Sequence, residues 1–230
     1  MKKTLWIAIA GALAASVIAA SAQEVLSANA VGYIKKTLPA GGKLTALSIP
    51  LNNMTEASNV FGRTSVAAEA PVNAVVYFWD PILQVWSGGA KSTKGWASGI
   101  SNRVIASGEA FFLKGDPAGV SDIEVTITGE VPADATLSRS IPGSLALGTI
   151  ANPYPVDFMF GQSSLASNAS VNSVVYFWNS SLQVWSGGAK SSKGWASGIY
   201  SNVVLAAEGF FLKEASTVTS WTNTKPYTWP

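Results

Sequence analysis

One stretch of this chain is written twice. Residues 72–114 align without a gap onto 171–213 at a constant offset of 99, and thirty of the 43 positions are identical. Val75-Val76-Tyr77-Phe78-Trp79 returns as Val174-Val175-Tyr176-Phe177-Trp178, Leu83 through Ser92 as Leu182 through Ser191, and Phe111-Phe112-Leu113-Lys114 as Phe210-Phe211-Leu212-Lys213. Copies this alike must fold alike, so the architecture reduces to one unit and the way two of them join. Upstream the likeness fades and the offset becomes 103, with Leu38-Pro39 answering Ile141-Pro142 and Ile49-Pro50 answering Asn152-Pro153. Four residues are therefore missing from the second copy, most simply from the polar loop between Asn52 and Pro71, where a change of length costs least.

The periodicity within a copy is that of strands. Val75, Tyr77 and Trp79 alternate with Val76 and Phe78, and both sets are apolar, as in a strand covered on two sides. Asp80-Pro81 opens a turn, Asn179-Ser180-Ser181 replaces it in the second copy, and Gln84-Val85-Trp86 returns as the other arm of a hairpin. Gly88-Gly89 and Gly187-Gly188 read as breaks in the chain, with Gly95, Gly99, Gly194 and Gly198 punctuating the segments after them. After residue 22 no segment carries a sustained 3.6-residue apolar stripe; Met54 to Ala70 has room for a turn or two of helix. The expected fold is all-β: two homologous β-sandwich or barrel-like units in pseudo-symmetric tandem, over 35–134 and 135–215. An N-terminal strand segment over 23–34 and a C-terminal strand or tail over 216–230 are expected to complete sheets, within a unit or by crossing between units.

The first 22 residues read as an address. Lys2 and Lys3 precede the uncharged run from Leu5 to Ala20, and Ala20-Ser21-Ala22 supplies the small residues a signal peptidase needs, which places cleavage before Gln23. The run approaches the length of a membrane anchor but ends in a cleavage site, so no membrane span is expected once the leader is removed. Cleavage leaves 13 of the 15 basic residues against 13 acidic ones. A neutral chain with no basic stripe gives no electrostatic case for nucleic acid or an anionic membrane. The expected location is outside the cell, extracellular or on the outer cell surface, with the periplasm as the remaining compartment. The chain has no Cys and no His. That excludes disulfides, thiol nucleophiles, imidazole bases and the commonest zinc ligands, and neither a cofactor nor a metal site is expected.

Ile150-Ala151-Asn152-Pro153-Tyr154-Pro155 is followed by Tyr176-Phe177-Trp178, Gln183-Val184-Trp185 and Glu208-Gly209-Phe210-Phe211. In this order the runs resemble a module of secreted and cell-surface proteins of outer-membrane bacteria, in which an Asn-Pro-Tyr-Pro run, a Tyr-x-Trp strand and a Gly-Phe-Phe strand recur. The resemblance spans most of 137–213 and, more loosely, 36–114, where Ile49-Pro50-Leu51 departs from Asn-Pro-Tyr-Pro and Glu109-Ala110-Phe111-Phe112 lacks the glycine. It implies an extracellular β-rich accessory or surface unit and carries over no catalytic residue.

Six of the eight tryptophans after the leader fall in matched pairs. Trp79 and Trp178 lie inside an apolar strand and are expected in the core. Trp96 and Trp195, set in Lys-Gly-Trp-Ala-Ser-Gly between glycines, are the first candidates for stacking on a ligand ring, with Trp86 and Trp185 beside them and Lys94 and Lys193 as polar partners. Ser87 to Ser92 lacks a phosphate loop's glycine before the lysine and the helix after it, and reads as a Gly/Ser loop with Lys91, Lys94, Lys190 and Lys193 solvated at its rim. Glu109 and Glu208, the carboxylates shared by the strongly matched blocks, read as turn or edge groups, because each lacks the second carboxylate that glycoside hydrolysis uses. Asp116, Asp122 and Glu124 read as a solvated linker. No catalytic residue is singled out, and the protein is not expected to be an enzyme. Two functions remain. One is a structural or adhesive surface protein that self-associates through sheet edges; the alternative is a carbohydrate-binding protein with two equivalent sites for a surface polymer or glycan.

Overall fold

The two apolar faces of the repeated strand become the two packing faces of a sheet. The computed structural model describes residues 30–217 and 219–228; the expected leader over 1–22 and the segment up to residue 29 lie outside the described residues. The first unit runs β1 (Val31–Leu38), β2 (Leu44–Ser48), β3 (Asn59–Val60), α1 (Ser65–Glu69), β4 (Val75–Asp80), β5 (Val85–Ala90), α2 (Ser98–Ser101), β6 (Val104–Ile105), β7 (Ala110–Lys114) and β8 (Ile123–Glu130). The second repeats the series as β9 (Thr136–Ile141), β10 (Leu147–Ala151), β11 (Phe158–Met159), α3 (Ser164–Asn168), β12 (Val174–Asn179), β13 (Val184–Ala189), α4 (Ser197–Tyr200), β14 (Val203–Val204), β15 (Gly209–Lys213) and β16 (Thr219–Thr224). Among the described residues strands make up 43% and helices 12%, so the fold is all-β, built from two like units in pseudo-symmetric tandem.

Each unit carries one four-stranded antiparallel sheet, β2-β7-β4-β5 in the first and β10-β15-β12-β13 in the second. A two-stranded ribbon, β1-β8 or β9-β16, covers one face of it. Val76 and Phe78 of β4 enter the core under that ribbon with Phe61, Phe111, Leu113, Val125 and Ile127. The rings meet edge to face, Phe61 lying 5.3 Å from Phe78 and 5.9 Å from Phe111; such pairs add about 0.5–1.5 kcal/mol beyond burial. In the second core Trp221 of β16 stands where Val125 stands in the first, buried and donating its indole N–H to Ser164 Oγ at 3.1 Å.

Pairing also places the flanking segments. β1 pairs with β8 and β9 with β16, so neither ribbon crosses between units. The first unit takes in all of β1 from Val31, and the second extends past 215 to Thr224, because the last strand helps to cover its apolar face. The four missing residues lie between Pro50 and Asn59: β2 and β10 stand 103 apart, whereas β3 and β11 already stand 99 apart.

The glycine pairs are not chain breaks. Gly88 and Gly187 lie inside β5 and β13, where a Cβ would run into the carbonyl oxygen of Val76 or Val175 across the ladder, so glycine is what lets the strand continue. The lysines just beyond them are not solvated at a rim either. Lys91 Nζ donates to the carbonyls of Ala67, Ala68 and Ala70 at 2.9, 2.8 and 2.6 Å, and Lys190 Nζ to those of Ala166, Ser167 and Ala169 at 2.9, 2.8 and 2.6 Å. These are the carbonyls that the ends of α1 and α3 leave without a helical partner, and a cation there also suits the helix dipole.

Candidate functional site

The second face of each sheet is covered by the sister unit, through reciprocal contacts. Trp79 Nε1 donates to Leu147 O at 2.6 Å, and Trp178 Nε1 to Leu44 O at 2.9 Å. Leu147 N donates to Gln84 Oε1 at 2.8 Å while Gln84 Nε2 donates to Leu147 O at 3.1 Å; Gln183 treats Leu44 alike, at 2.9 Å in both directions. Ser48 N donates to Ala207 O and Ala151 N to Gly108 O. Residue i touching j′ while j touches i′ is the signature of a two-fold axis, here within one chain. Gln84 and Gln183 take left-handed backbone, with φ of 56° and 57°, and their amides stand in for a neighbouring strand along the outer edges of β10 and β2.

Phe112 and Phe211 stack on this axis, ring centroids 5.4 Å apart and planes 25° from parallel. Both are buried, with Ala46, in a third core. A Cβ on Gly209 would overlap that of Ala110. The axis admits one methyl group, which explains why the first copy has Ala110 where the second has Gly209.

Trp86 and Trp185 flank the stacked rings. Trp86 lies 5.5 Å from Phe112 and 6.0 Å from Phe211, and Trp185 5.9 and 4.8 Å from the same rings. Both remain 40% or more exposed. With Leu147, Tyr176, Phe211 and Lys213 they line one groove of about 320 Å³ at the junction of the units. The chemistry of the groove is aromatic faces with the Lys213 ammonium at the rim, suited to stacking and to apolar contact.

Of the residues singled out from sequence, Trp86 and Trp185 meet here and the others do not. Trp96 and Trp195 are structural: their Nε1 atoms donate to Ala67 O and Ala166 O at 2.9 and 2.8 Å, and their rings pack 5.1 and 5.2 Å from Phe61 and Phe160. The glycines around them allow a tight turn that folds the indole inward under the helix. Lys94 and Lys193 sit on that exposed turn, away from the groove, with their backbone N–H groups bonded to Ser92 Oγ and Ser191 Oγ at 3.2 Å. The cation that lines the groove is Lys213. Its sequence signal is the repeated Phe-Phe-Leu-Lys, whose second Phe faces the junction while the first faces the core.

The carboxylates are likewise placed. Glu109 closes the turn that begins at Ala106, and it does so as a buried group: it is 4% exposed and accepts from Arg103 Nη2 at 2.8 Å and Ala106 N at 3.0 Å, with Arg139 of the other unit 4.0 Å away. Its counterpart Glu208 accepts from Leu205 N at 3.1 Å beside Lys36. Burial pushes the Glu208 carboxyl up and the Lys36 ammonium down, and each charge partly restores the other. Burial also lowers the Arg139 guanidinium. Of the acids read as a linker, Asp116 and Asp122 do lie in the loop between β7 and β8, the exposed Asp122 accepting from Ala40 N at 2.9 Å, whereas Glu124 lies within β8 and pairs with Lys35 at 2.7 Å. Asn152 of the Asn-Pro-Tyr-Pro run locks its own loop, accepting from Tyr154 N and donating to Val156 O at 3.1 and 3.0 Å; Tyr154 is buried and donates to Asp134 O at 2.9 Å.

No helix among the described residues is long and apolar enough to cross a membrane. No family model matches the chain, and neither a curated protein nor a solved structure shows significant similarity to it.

Proposed function

We propose that this is a secreted, non-enzymatic structural or adhesive surface protein that associates with its own kind. The observation that carries this reading is the apolar surface of the two outer hairpins. Ile82 is 89% exposed and Leu182 71%, and Leu83, Val85, Trp86, Val184 and Trp185 are exposed beside them. Contiguous exposed apolar surface on a folded chain marks an association site. The non-enzymatic part is supported by the carboxylates: Glu109, Glu208, Asp157 and Glu214 all accept backbone N–H groups of nearby loops, which is structural employment. The resemblance of the Asn-Pro-Tyr-Pro, Tyr-x-Trp and Gly-Phe-Phe runs to surface modules supports the location.

The groove favours one second reading, a single carbohydrate site shared by both units, since Trp86, Tyr176 and Trp185 offer flat faces for sugar rings. Light scattering over a dilution series and a glycan array, each on wild type and on Trp86→Ala/Trp185→Ala, separate the two. Mass that grows with concentration and no glycan signal is the expected result. Saturable binding of one glycan, lost in the double variant, by a protein that stays monomeric would replace the first reading with the second.

A further inference from the structure

We propose that association runs strand to strand through the outer edges of β5 and β13, and that it is open-ended because one chain presents two such edges at opposite sides. This rests on the reading of the protein as self-associating; the partner it names is a second copy of this chain.

An unpaired strand edge is a template for another chain unless something blunts it. Most edges of this molecule are blunted. β2 and β10 are capped by Gln183 and Gln84. The edge of β8 is taken by α1, with Ser65 Oγ donating to Thr126 O and Glu69 accepting from Thr126 N, and that of β16 by Ser164 Oγ donating to Thr222 O. β1 carries Lys35 and Lys36, and β9 carries Arg139. β5 and β13 carry no charge, and among the described residues no side chain caps them in this way: both read Val-Trp-Ser-Gly-Gly-Ala. Lys91 N donates to Ala74 O and Lys190 N to Ser173 O, so by alternation Trp86, Gly88 and Ala90, and Trp185, Gly187 and Ala189, turn their N–H and C=O groups outward. The small Ser-Gly-Gly-Ala side chains leave that backbone open to close approach.

Geometry sets the valence. Trp79 of β4 lies against β10, Phe112 of β7 against β15, and Trp178 of β12 against β2. The sheets are thus stacked with a one-strand offset: β5 extends beyond β10 at one side, and β13 beyond β2 at the other. Pairing there continues the existing junction, because the inner face of each overhang already holds Trp86 or Trp185 in the aromatic cluster. Two identical edges on opposite sides cannot both be satisfied in a dimer related by one two-fold axis, so the product is a ribbon that grows.

The test is edge-blocking, read by sedimentation velocity and light scattering on the full chain. Ala90→Pro and Ala189→Pro each remove an outward N–H and no ladder bond; Val85→Lys and Val184→Lys place a charge on the edge and leave the backbone intact. Wild type is expected to exceed dimer mass as concentration rises, either single-edge variant to stop at or below the dimer, and both double variants to remain monomeric with wild-type circular dichroism. A folded double variant of either kind that assembles as wild type does would overturn the edge route and leave self-association standing. Wild type that stays monomeric throughout would overturn self-association and the edge route together.

Discussion

At the pseudo-two-fold axis the two copies differ by a methyl group, Ala110 against Gly209, and the fold needs that difference. Gly209→Ala brings two Cβ atoms into overlap between backbone segments that hydrogen bonds already fix. The cost expected is that of overpacking, about 1–3 kcal/mol. Ala110→Gly in the same chain should recover most of it, and paired denaturant curves with unchanged slopes check this. Two carboxylates, Glu208 half-buried and Glu214 buried, give a second residue-scale expectation, with opposite signs. Burial holds Glu208 above the usual carboxylate range. The folded state then keeps the proton longer than the unfolded chain does, so stability falls as pH rises from the unfolded value of about 4.3 through the folded one. Burial also pushes Glu214 up, but hydrogen bonding from Ser216 N and Ser170 N, each at 3.1 Å, and from the Ser170 and Ser173 side chains outweighs it and holds the carboxyl below that range. Its contribution is present above the unfolded value and is lost as pH falls through the folded one. Glu208→Gln should therefore raise the melting temperature at neutral pH and Glu214→Gln lower it, both differences fading on acidification; the same sign for the two variants at pH 7 would refute this assignment.

Five-residue helices are not stable by themselves, so α1 and α3 exist through what holds them. Thr64 Oγ1 and Ser163 Oγ accept the N–H groups of Ala67 and Ala166 at the start, and Lys91 and Lys190 take three carbonyls each at the end. Replacing Lys91 with Met keeps the apolar stem and removes the charged bonds, worth about 2 kcal/mol. Lys190→Met should cost the same, and hydrogen exchange should quicken at Ala68 and Ala70, or Ser167 and Ala169, before the sheets respond; equal exchange in variant and wild type would show that the lysine is dispensable. Elements of this kind are also where sequence reading fails. Strands, hairpins and the helical turn within Met54 to Ala70 are legible from alternation and turn residues. The lysine caps are not, because the contact joins residues more than twenty apart and an isolated lysine carries no local signal. Gly88-Gly89 misleads for a related reason: glycine frees the backbone in a turn and equally removes a Cβ that a ladder cannot accommodate. The small neighbours of Trp96 suggest an open ligand residue, yet small neighbours are what let an indole fold inward.

For the whole molecule, duplication and the double apolar face of Val75 to Trp79 are legible, and together they imply that a unit's second face has a partner. That the partner is the sister copy, and that its aromatic residues converge on one groove, is not, since alternation decides which residues share a face but not which face meets which. The clasp that joins the units rests on Gln84 and Gln183, which bear left-handed backbone that costs a non-glycine residue about 1–2 kcal/mol. Such a conformation persists where surrounding contacts over-determine it. Gln84→Ala keeps the backbone cost and loses two bonds to Leu147 and one to Pro81 O, each worth about 1 kcal/mol, so it should destabilise by about 3 kcal/mol. Gln84→Gly loses the same bonds but relieves about 1 kcal/mol of the backbone cost, so it should fall between Gln84→Ala and wild type. The order wild type, glycine, alanine in equilibrium unfolding is the signature of a clasp that outweighs its own strain. A glycine variant at least as stable as wild type would mean that the bonds of Gln84 do not outweigh its strain, and that the junction is held by its other contacts, the Gln183 bonds, the stacked phenylalanines, the tryptophan bonds and the backbone bonds of Ser48 and Ala151.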